Sequence, residues 1–322
     1  MKRRSVLKGL GAAAACGVVP FSAAWAADWP AKPITLICPW SAGGGTDLLL
    51  RKLGASLAKV TKQTVTVVNT TGGGGAIGHA AIMRAPTDGY TIGMITFELN
   101  SLPPQGLIPF TWKDFDPIMR VNVDAPALTV NAKSPLNGLK DFADYAKAHP
   151  GEVTIGNSGP GSVWHIAAAM MADELGITAK YVPFDGAAPA VTALVGGHLT
   201  AVSVSVAEVR SQVAGGNLKM LGVMGEERSS LFPDVPTFAE QGVKATFGTW
   251  RGMALPKGVK PETRAAIAKA LKGAYDDPEF QEFAKSAALN LAYQDDKAFV
   301  AFLDKNASDV LRVMRSLGLA KV

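Results

Sequence analysis

Cysteine and histidine are both scarce in this chain of 322 residues, which has two of the former and four of the latter. One cysteine, Cys16, lies in an N-terminal segment that we expect to be cleaved off, so Cys38 would have no partner for a disulfide. Because Cys38 lies within an apolar run, we interpret it as a buried, inert thiol. The histidines are scattered, without a His-x-x-x-His pair. We therefore expect no metal site and no disulfide.

Clusters of basic residues are also missing, since no run of lysine and arginine with interleaved aromatics occurs. The formal net charge is +5, but it falls to +1 without residues 1–26, which contain Lys2, Arg3, Arg4 and Lys8 and no acid. The basic isoelectric point therefore gives no reason to expect a nucleic-acid partner or a membrane surface.

The first 26 residues have the pattern of an export signal, in which a basic start and a short apolar stretch precede a small-x-small cleavage site. That site is Ala24-Trp25-Ala26, so we predict cleavage after Ala26 and a periplasmic protein. The pair Arg3-Arg4 is typical of the Tat route, and a Sec signal is the alternative. Cleavage would leave 296 residues, a length that usually divides into two domains.

Two glycine-rich loops lie near the start of the mature chain. Each follows an apolar, strand-like run and opens a helix-like run: residues 41–46 follow 34–38, and residues 70–75 follow 64–68. Glycine lets backbone amides turn towards a ligand, and the next helix adds unpaired N–H donors and the positive end of its dipole. Two such loops facing one cleft predict an anion site that needs no arginine.

Strand-like and helix-like runs alternate along the mature chain, which predicts an α/β protein. We predict strands at 34–38, 64–68, 90–95, 127–130, 153–156, 180–184, 199–206, 218–224 and 250–255, and helices at 48–60, 77–84, 141–149, 162–175, 189–195, 261–275, 278–288 and 297–317. The last three helices have no strands of their own, so we expect them to cover the N-terminal sheet. Domain I would comprise 27–125 plus 246–322 and domain II 126–245, joined by two crossing segments that form a hinge beside a ligand cleft.

Two enzymatic alternatives remain open. Gly73-x-Gly75-x-x-Gly78 matches the dinucleotide-binding pattern of an oxidoreductase, although a proline soon ends the helix that follows. A third glycine loop, residues 157–161, narrowly misses the hydrolase motif G-x-S-x-G. There Ser162 and His165 are either a nucleophile and its base, or Ser162 is the N-cap that accepts a hydrogen bond from the amide of His165. His165 is then either structural or a ligand contact.

Three further residues have two readings each. Trp40 lies in the first glycine loop and is either a cleft wall or core. Asp47 lies in the first helical turn, where it either contacts a ligand or only complements the helix dipole. Asp185 precedes a glycine and is either a cleft residue or a solvated turn residue.

Short motifs spread over essentially the whole mature chain point to one family. They are Trp29-Pro30-Ala31-Lys32-Pro33-Ile34, Pro39-Trp40-Ser41-Ala42-Gly43-Gly44-Gly45-Thr46-Asp47, Pro86-Thr87-Asp88-Gly89-Tyr90-Thr91, Gly161-Ser162-Val163-Trp164-His165, Pro183-Phe184-Asp185-Gly186-Ala187-Ala188-Pro189-Ala190, Leu194-Val195-Gly196-Gly197-His198, Phe232-Pro233-Asp234-Val235-Pro236-Thr237 and Gly252-Met253-Ala254-Leu255-Pro256-Lys257-Gly258. Together they resemble the Bug family, the extracytoplasmic solute receptors of tripartite tricarboxylate transporters.

The resemblance implies a two-domain periplasmic-binding-protein fold of type II character, in which each domain is a β-sheet flanked by helices. It implies a non-catalytic receptor that closes on a small carboxylate, without a cofactor, and passes it to the permease subunits of a transporter. We expect a monomer.

The resemblance also implies where the ligand binds. In the family, loops that correspond to 40–47 and 70–78 face loops that correspond to 158–165 and 184–188. Thr200 stands where relatives often carry an acid, and Phe184 where some carry tyrosine. The predicted ligand contacts are Trp40, Ser41, Gly44, Gly45, Thr46, Asp47, Gly73, Gly74, Gly75, Ser158, Gly159, Ser162, His165, Asp185, Ser203 and Ser205.

Overall fold

A computed structural model describes residues 29–321, so the predicted export signal lies outside the described residues. The strands are β1 (Ile34–Cys38), β2 (Val65–Asn69), β3 (Thr91–Thr96), β4 (Phe115–Asp124), β5 (Pro126–Asn131), β6 (Thr154–Asn157), β7 (Lys180–Pro183), β8 (Ala201–Ser205), β9 (Leu218–Val223), β10 (Thr249–Pro256) and β11 (Leu291–Gln294). The helices are α1 (Gly45–Thr61), α2 (Ala76–Met83), α3 (Glu98–Ser101), α4 (Leu139–Ala148), α5 (Val163–Leu175), α6 (Ala187–Val195), α7 (Val206–Ala214), α8 (Pro261–Tyr275), α9 (Pro278–Ser286) and α10 (Asp296–Ser316).

The first sheet has six strands in the order β11-β4-β10-β3-β1-β2. β1 pairs in parallel with β2 and β3, as the alternation of strands and helices predicts, whereas β10 is antiparallel to β3 and β4. The α1 helix buries Leu49, Leu53 and Leu57, the leucines that its spacing places on one face. It packs against α8 and β2, and α10 packs against β4. We call this sheet and helices α1–α3 and α8–α10 lobe I.

The second sheet has five strands in the order β7-β6-β8-β5-β9 and carries helices α4–α7. We call this unit lobe II. The chain enters it through Ala125, between β4 and β5, and returns to lobe I between β9 and β10. Lobe I thus takes its strands from 34–124 and 249–294, and lobe II from 126–223. The exact boundaries of domains I and II stay a prediction, which this distribution of strands supports.

Four elements have no counterpart among the predicted ones: α3, β4, α7 and β11. In β4 the polar residues Asp116, Arg120 and Asn122 interrupt the apolar pattern, which hides the strand from a search for periodicity. The α7 helix follows β8 without a loop, and β11 has only four residues. Because β11 joins the first sheet, the expectation that the end of the chain provides helices alone was wrong.

Hydrophobic packing joins the two lobes. One cluster of buried side chains includes Ile95 and Phe97 of lobe I together with Val163 and Val204 of lobe II. Since Val163 closely follows the third glycine loop, this packing holds the start of α5 against lobe I. Within residues 29–321, no helix combines the length and the apolar character needed to cross a membrane.

Candidate functional site

The first and second glycine loops lie side by side at the carboxyl ends of two parallel strands. β1 and β2 pair as far as Cys38 and Asn69, and the Thr70 amide donates to the Cys38 carbonyl oxygen (2.8 Å). The Asn69 side chain reaches the first loop, where it donates to the Trp40 carbonyl oxygen (2.9 Å) and to Asp47 (2.8 Å). These hydrogen bonds hold the two loops together as one unit.

Asp47 shapes the first loop from within lobe I. Its carboxylate is buried and accepts hydrogen bonds from the Gly43 amide (2.9 Å) and from Arg51 Nε (2.9 Å). Burial alone would raise the pKa of Asp47, but the hydrogen bonds from Arg51, Gly43 and Asn69 outweigh it and hold that pKa below its usual range. The structure therefore places this predicted contact residue in the hydrogen-bond network of the loop itself.

Three other predicted contact residues of the first loop also have protein partners. The Gly44 amide donates to the Ser41 carbonyl oxygen (3.4 Å). The Gly45 amide donates to Glu208 Oε1 (3.3 Å), which comes from α7 in lobe II. The Thr46 hydroxyl accepts a hydrogen bond from Arg251 Nε (2.8 Å). The N-terminus of α1, predicted to receive a ligand, is thus engaged by groups of the chain itself.

The second glycine loop ends in a 3₁₀ turn over Gly73–Gly75, whose first amides have no partner within the turn. Trp40 packs beside this turn, since an ideal Cβ on Gly75 would lie 3.0 Å from Trp40 Cζ2. The Trp40 indole N–H donates to Thr96 Oγ1 (3.4 Å), and the residue is 8% exposed. Trp40 therefore belongs to the core of lobe I and also forms the wall beside the loop.

The loops of the two lobes touch each other. An ideal Cβ on Gly159 of lobe II would lie 3.3 Å from Gly74 Cα of lobe I. The turn after Asp185 approaches the first loop still more closely, because a Cβ on Gly186 would lie 2.5 Å from Ser41 Oγ. Gly186 also has a φ of +133°, which favours glycine. The structure thus brings together four of the predicted regions, two from each lobe.

Two buried hydroxyl groups near this contact have no hydrogen-bond partner among residues 29–321: Ser41 Oγ in lobe I and Ser158 Oγ in lobe II. Ser158 is only 2% exposed. The loop around it is fixed, since the Gly159 amide donates to Asn157 Oδ1 (2.9 Å). An unpaired buried hydroxyl costs about 1–3 kcal/mol. Both groups are therefore suited to pair with a polar ligand.

Ser162 and His165 organise the third loop and the start of α5. Ser162 Oγ accepts a hydrogen bond from the His165 amide (3.3 Å), which confirms the predicted N-cap. The His165 ring accepts at Nδ1 a hydrogen bond from the Gly161 amide (3.0 Å) and meets Tyr181 edge to face. Burial lowers the pKa of His165, which favours the neutral ring that this contact requires.

Glu98 reaches from lobe I to the N-terminus of α5. Its Oε1 accepts a hydrogen bond from the Val163 amide (3.0 Å), and its Oε2 accepts one from the Thr96 hydroxyl. Burial raises the pKa of Glu98, although these two hydrogen bonds partly offset the effect. A carboxylate at this position suits the positive end of the helix dipole.

Glu208 reaches in the opposite direction, from lobe II to the N-terminus of α1. The amide and hydroxyl of Ser205 donate to its Oε2 (2.9 and 3.0 Å), so the predicted contact residue Ser205 orients this glutamate. Burial raises the pKa of Glu208, and Arg251 and Ser205 offset part of that rise. Ser203, on the same strand, is buried opposite Leu128 of β5.

Arg251 is the buried cation of this region, with a side chain only 2% exposed. It forms an ion pair with Asp124 and lies 3.8 Å from Glu208, measured from Nη2 to Oε1. The carboxylates of Asp124 and Glu208 therefore flank one guanidinium. Asp124 ends β4 where the chain crosses between the lobes, Arg251 belongs to lobe I and Glu208 to lobe II, so the three side chains connect this crossing to both lobes. Breaking such a buried pair by removing one partner typically costs about 3–5 kcal/mol.

A cavity of about 670 Å³ lies away from the glycine loops, where the two crossing segments meet. Its lining includes Asp124, Glu227, Phe247 and Asn290. No residue of the three glycine loops lines it. Among residues 29–321, no group of three or more histidine, cysteine or acidic side chains is arranged to hold a metal ion.

Comparison with known proteins places the chain in a family. Residues 49–319 match the model of the tripartite tricarboxylate transporter family receptor, TctC. The chain belongs to this receptor family. It is 30% identical to the UPF0065 protein in gbd 5′ region of Cupriavidus necator, over 100% of this chain and 99% of the relative.

Two solved structures show the same fold. A TctC solute-binding protein from Polaromonas, solved without ligand, is 37% identical, with a TM-score of 0.64 over 89% of this chain and 99% of that one. The periplasmic binding protein BugD is 28% identical, with a TM-score of 0.86 over 91% of this chain and 99% of that one. The predicted periplasmic-binding-protein fold and the predicted Bug resemblance are both confirmed.

The TctC family consists of periplasmic receptors and not of enzymes, so both enzymatic alternatives were wrong. The structure gives the physical reason for the hydrolase motif, since Ser162 Oγ accepts from a backbone amide rather than bonding to the His165 ring. In the dinucleotide motif, Gly74 packs against the third glycine loop.

Sequence reasoning overlooked Glu98 as a cleft residue, and Glu208 and Arg251 altogether. Ser205 and Glu208 form an S-x-x-E pattern, which predicts a capping box and which the structure contains. Arg251 is a lone charge in an otherwise apolar strand, which indicates a buried partner. Neither signal reveals that these groups reach across to the opposite lobe.

Proposed function

We propose that this chain is a periplasmic receptor that captures a small organic acid between its lobes and delivers it to the permease of a tripartite tricarboxylate-type transporter. The observation that carries the proposal is the pair of unpartnered hydroxyls, Ser41 and Ser158, on opposite sides of the contact between the lobes. The family of transporter receptors supplies the class of ligand.

The carboxylate would be held by neutral donors. The amides of Gly73 and Gly74 open the 3₁₀ turn and would donate to one oxygen, while Ser41 and Ser158 donate from lobe I and lobe II. Because the acid would contact both lobes only in the closed form, its binding would shift the equilibrium towards closure of the cleft. Because no cation pairs with the ligand, opening the cleft dissolves no buried ion pair, which favours release to the permease.

The remaining predicted contacts would support this site rather than form it. Asp47 shapes the first loop, Ser162 caps α5, and Thr46 and Ser205 hold Arg251 and Glu208. Trp40 would form a wall of the closed cleft. His165, Gly159 and Asp185 would lie beside the site, where the third loop and the turn after β7 come close to lobe I.

Several features of the proposal concern the protein in the cell. Export by the Tat route with cleavage after Ala26 would place the receptor in the periplasm, and we expect it to act there as a monomer. Its permease partner would recognise the closed, loaded form. The family of the chain supports the periplasmic location and the permease partner.

The test is a panel of organic acids measured by thermal shift, with the primary amides of the same acids as matched controls. An acid that binds should stabilise the protein by about 2.7 kcal/mol at a hundredfold excess over Kd. Its amide, which lacks the charge, should have little effect. Mass spectrometry of the purified, dialysed protein should identify an acid carried over from the cell. Equal shifts with acids and amides, or a stoichiometric dinucleotide, would contradict the proposal.

A further inference from the structure

The N-terminus of α1 is contacted by a carboxylate that belongs to the chain itself. Glu208 Oε1 lies 3.3 Å from the Gly45 amide, and Ser205 fixes the carboxylate through two hydrogen bonds to Oε2. An ideal Cβ on Gly45 would lie 3.1 Å from Glu208 Cγ and 3.1 Å from Arg251 Nη2. The first residue of this helix is therefore packed closely against side chains of both lobes.

The N-terminus of α5 in lobe II is likewise contacted by a glutamate of lobe I. Glu98 Oε1 accepts the hydrogen bond of the Val163 amide, and Ser162 Oγ accepts that of the His165 amide. Each lobe thus places one glutamate on the helix terminus of the other. Both of the helix termini that would favour an anion in the cleft are therefore already occupied by a carboxyl group of the chain.

Several donors at the contact between the lobes remain available to one carboxylate. They are the first amides of the 3₁₀ turn over Gly73–Gly75 and the hydroxyls of Ser41 and Ser158, of which Ser158 is 98% buried and unpartnered. Glu208 contacts the first glycine loop at Gly45, and the cation beside it, Arg251, is already paired with Asp124. A second carboxylate of a ligand that reaches Gly45 would therefore meet Glu208 and find Arg251 already neutralised. Like charges brought together in a buried site repel strongly.

We infer that Glu208 determines specificity, so that this receptor selects monocarboxylates and rejects dicarboxylates. The inference rests on the proposed function and narrows its ligand class. Glu208 takes the place that the second carboxylate of a dicarboxylate would need. It occupies the space beside the Gly45 amide and balances the charge of Arg251.

The experiment is calorimetric titration with three matched pairs of acids: butanoate and succinate, hexanoate and adipate, benzoate and terephthalate. Wild type should bind the monocarboxylate of a pair at least about tenfold more tightly than the dicarboxylate. Glu208→Ala frees the Gly45 amide and leaves Arg251 paired with Asp124 alone. In this variant the ratio of monocarboxylate affinity to dicarboxylate affinity should therefore fall by at least about tenfold. Glu174→Ala, which removes an exposed glutamate from α5, should bind like wild type.

Glu208→Gln provides a second variant for the case that Glu208→Ala fails to fold. It keeps the size of the side chain and can still accept from the Gly45 amide, but it removes the repelling charge, so the preference should narrow. Circular dichroism and ligand-free unfolding verify the fold of each variant. A wild type that prefers the dicarboxylates, or an unchanged ratio in the folded variants, would overturn the inference and leave the proposed function standing. If wild type binds no acid of either class, the proposed function itself is wrong.

Discussion

The Glu98 carboxylate of lobe I accepts a hydrogen bond from the Val163 amide at the start of α5 in lobe II, at 3.0 Å. The contact between Glu208 and the Gly45 amide has the same chemistry in the opposite direction. Two helix termini that could attract ligand anions are thus contacted by the acids of the facing lobe. This reciprocal arrangement stabilises the contact between the lobes and decides which donors remain for a ligand.

Replacing Glu98 by glutamine should make stability less dependent on pH. Because burial raises the pKa of Glu98, the folded protein retains a proton there at pH values where the unfolded chain has lost it. The stabilising contribution is complete below the unfolded pKa of about 4.3 and is lost as pH rises through the folded pKa. Urea unfolding between about pH 4.5 and 8 should show a steeper fall of unfolding free energy in wild type than in Glu98→Gln. Glu174→Gln, on the surface, should follow wild type, and identical pH profiles of all three proteins would contradict this reading.

His79 should remain neutral well below the usual range of histidine. It is fully buried, and its Nε2 accepts a hydrogen bond from the Thr96 amide (3.2 Å). Burial lowers the pKa of His79 to about 4. Its contribution to stability is present above the unfolded pKa of about 6.5 and is lost as pH falls towards the folded value, an effect of about 3 kcal/mol. NMR of the imidazole nitrogens should give a midpoint near that folded value, and a midpoint near the unfolded one would refute the assignment.

A side chain at position 186 should prevent the lobes from closing on a ligand. The Cβ of Gly186→Ala would lie 2.5 Å from Ser41 Oγ, so either Ser41 must turn its hydroxyl away from the contact or lobe II must move away from the first loop. We expect the affinity for the best acid to fall by at least about tenfold. Gly216→Ala is the matched control, because Gly216 also has a positive φ (+73°) but no atom near the new Cβ. Both variants should lose about 1–2 kcal/mol of stability from backbone strain. Equal affinities in calorimetry would show that this contact is not part of closure.

Removing the Ser158 hydroxyl should weaken binding of the acid without lowering the stability of the ligand-free protein. The hydroxyl is buried and unpaired, so Ser158→Ala should leave the ligand-free protein as stable as wild type or more so by up to about 1 kcal/mol. The affinity for the acid should fall by at least about tenfold, because a hydrogen bond to a charged group contributes about 1.5–3 kcal/mol. Ser211→Ala, on the exposed side of α7, should change neither quantity. A stability loss without an affinity loss would assign Ser158 a purely structural role.

Local patterns predict the fold well where an element contains its own signals. α5 begins after its cap Ser162 and ends at Leu175, as the spacing and the cap predict. The first three parallel strands follow in the same way from their apolar runs. In contrast, β4 is stabilised by pairing with β10 and β11 rather than by its own apolar pattern, so tertiary contacts override a weak local signal.

The candidate site was predictable only in part, for a related reason. Glycine loops can be recognised from the sequence alone, and the structure brings those of both lobes together. The partners of the charged residues, however, lie far away along the chain: Glu98 is 65 residues from Val163, and Arg251 is 205 residues from Thr46. No local pattern encodes such a pairing, so the engagement of the α1 terminus by Glu208 emerges only from the three-dimensional arrangement.

The most direct measurement is a crystal structure of the protein with the acid that gives the largest thermal shift. We predict its carboxylate between the lobes, within hydrogen-bonding distance of the Gly74 amide and the Ser158 hydroxyl. The cavity lined by Asp124, Glu227 and Asn290 should contain no part of the acid. An acid bound in that cavity, with the second and third glycine loops more than a hydrogen bond away, would contradict the account.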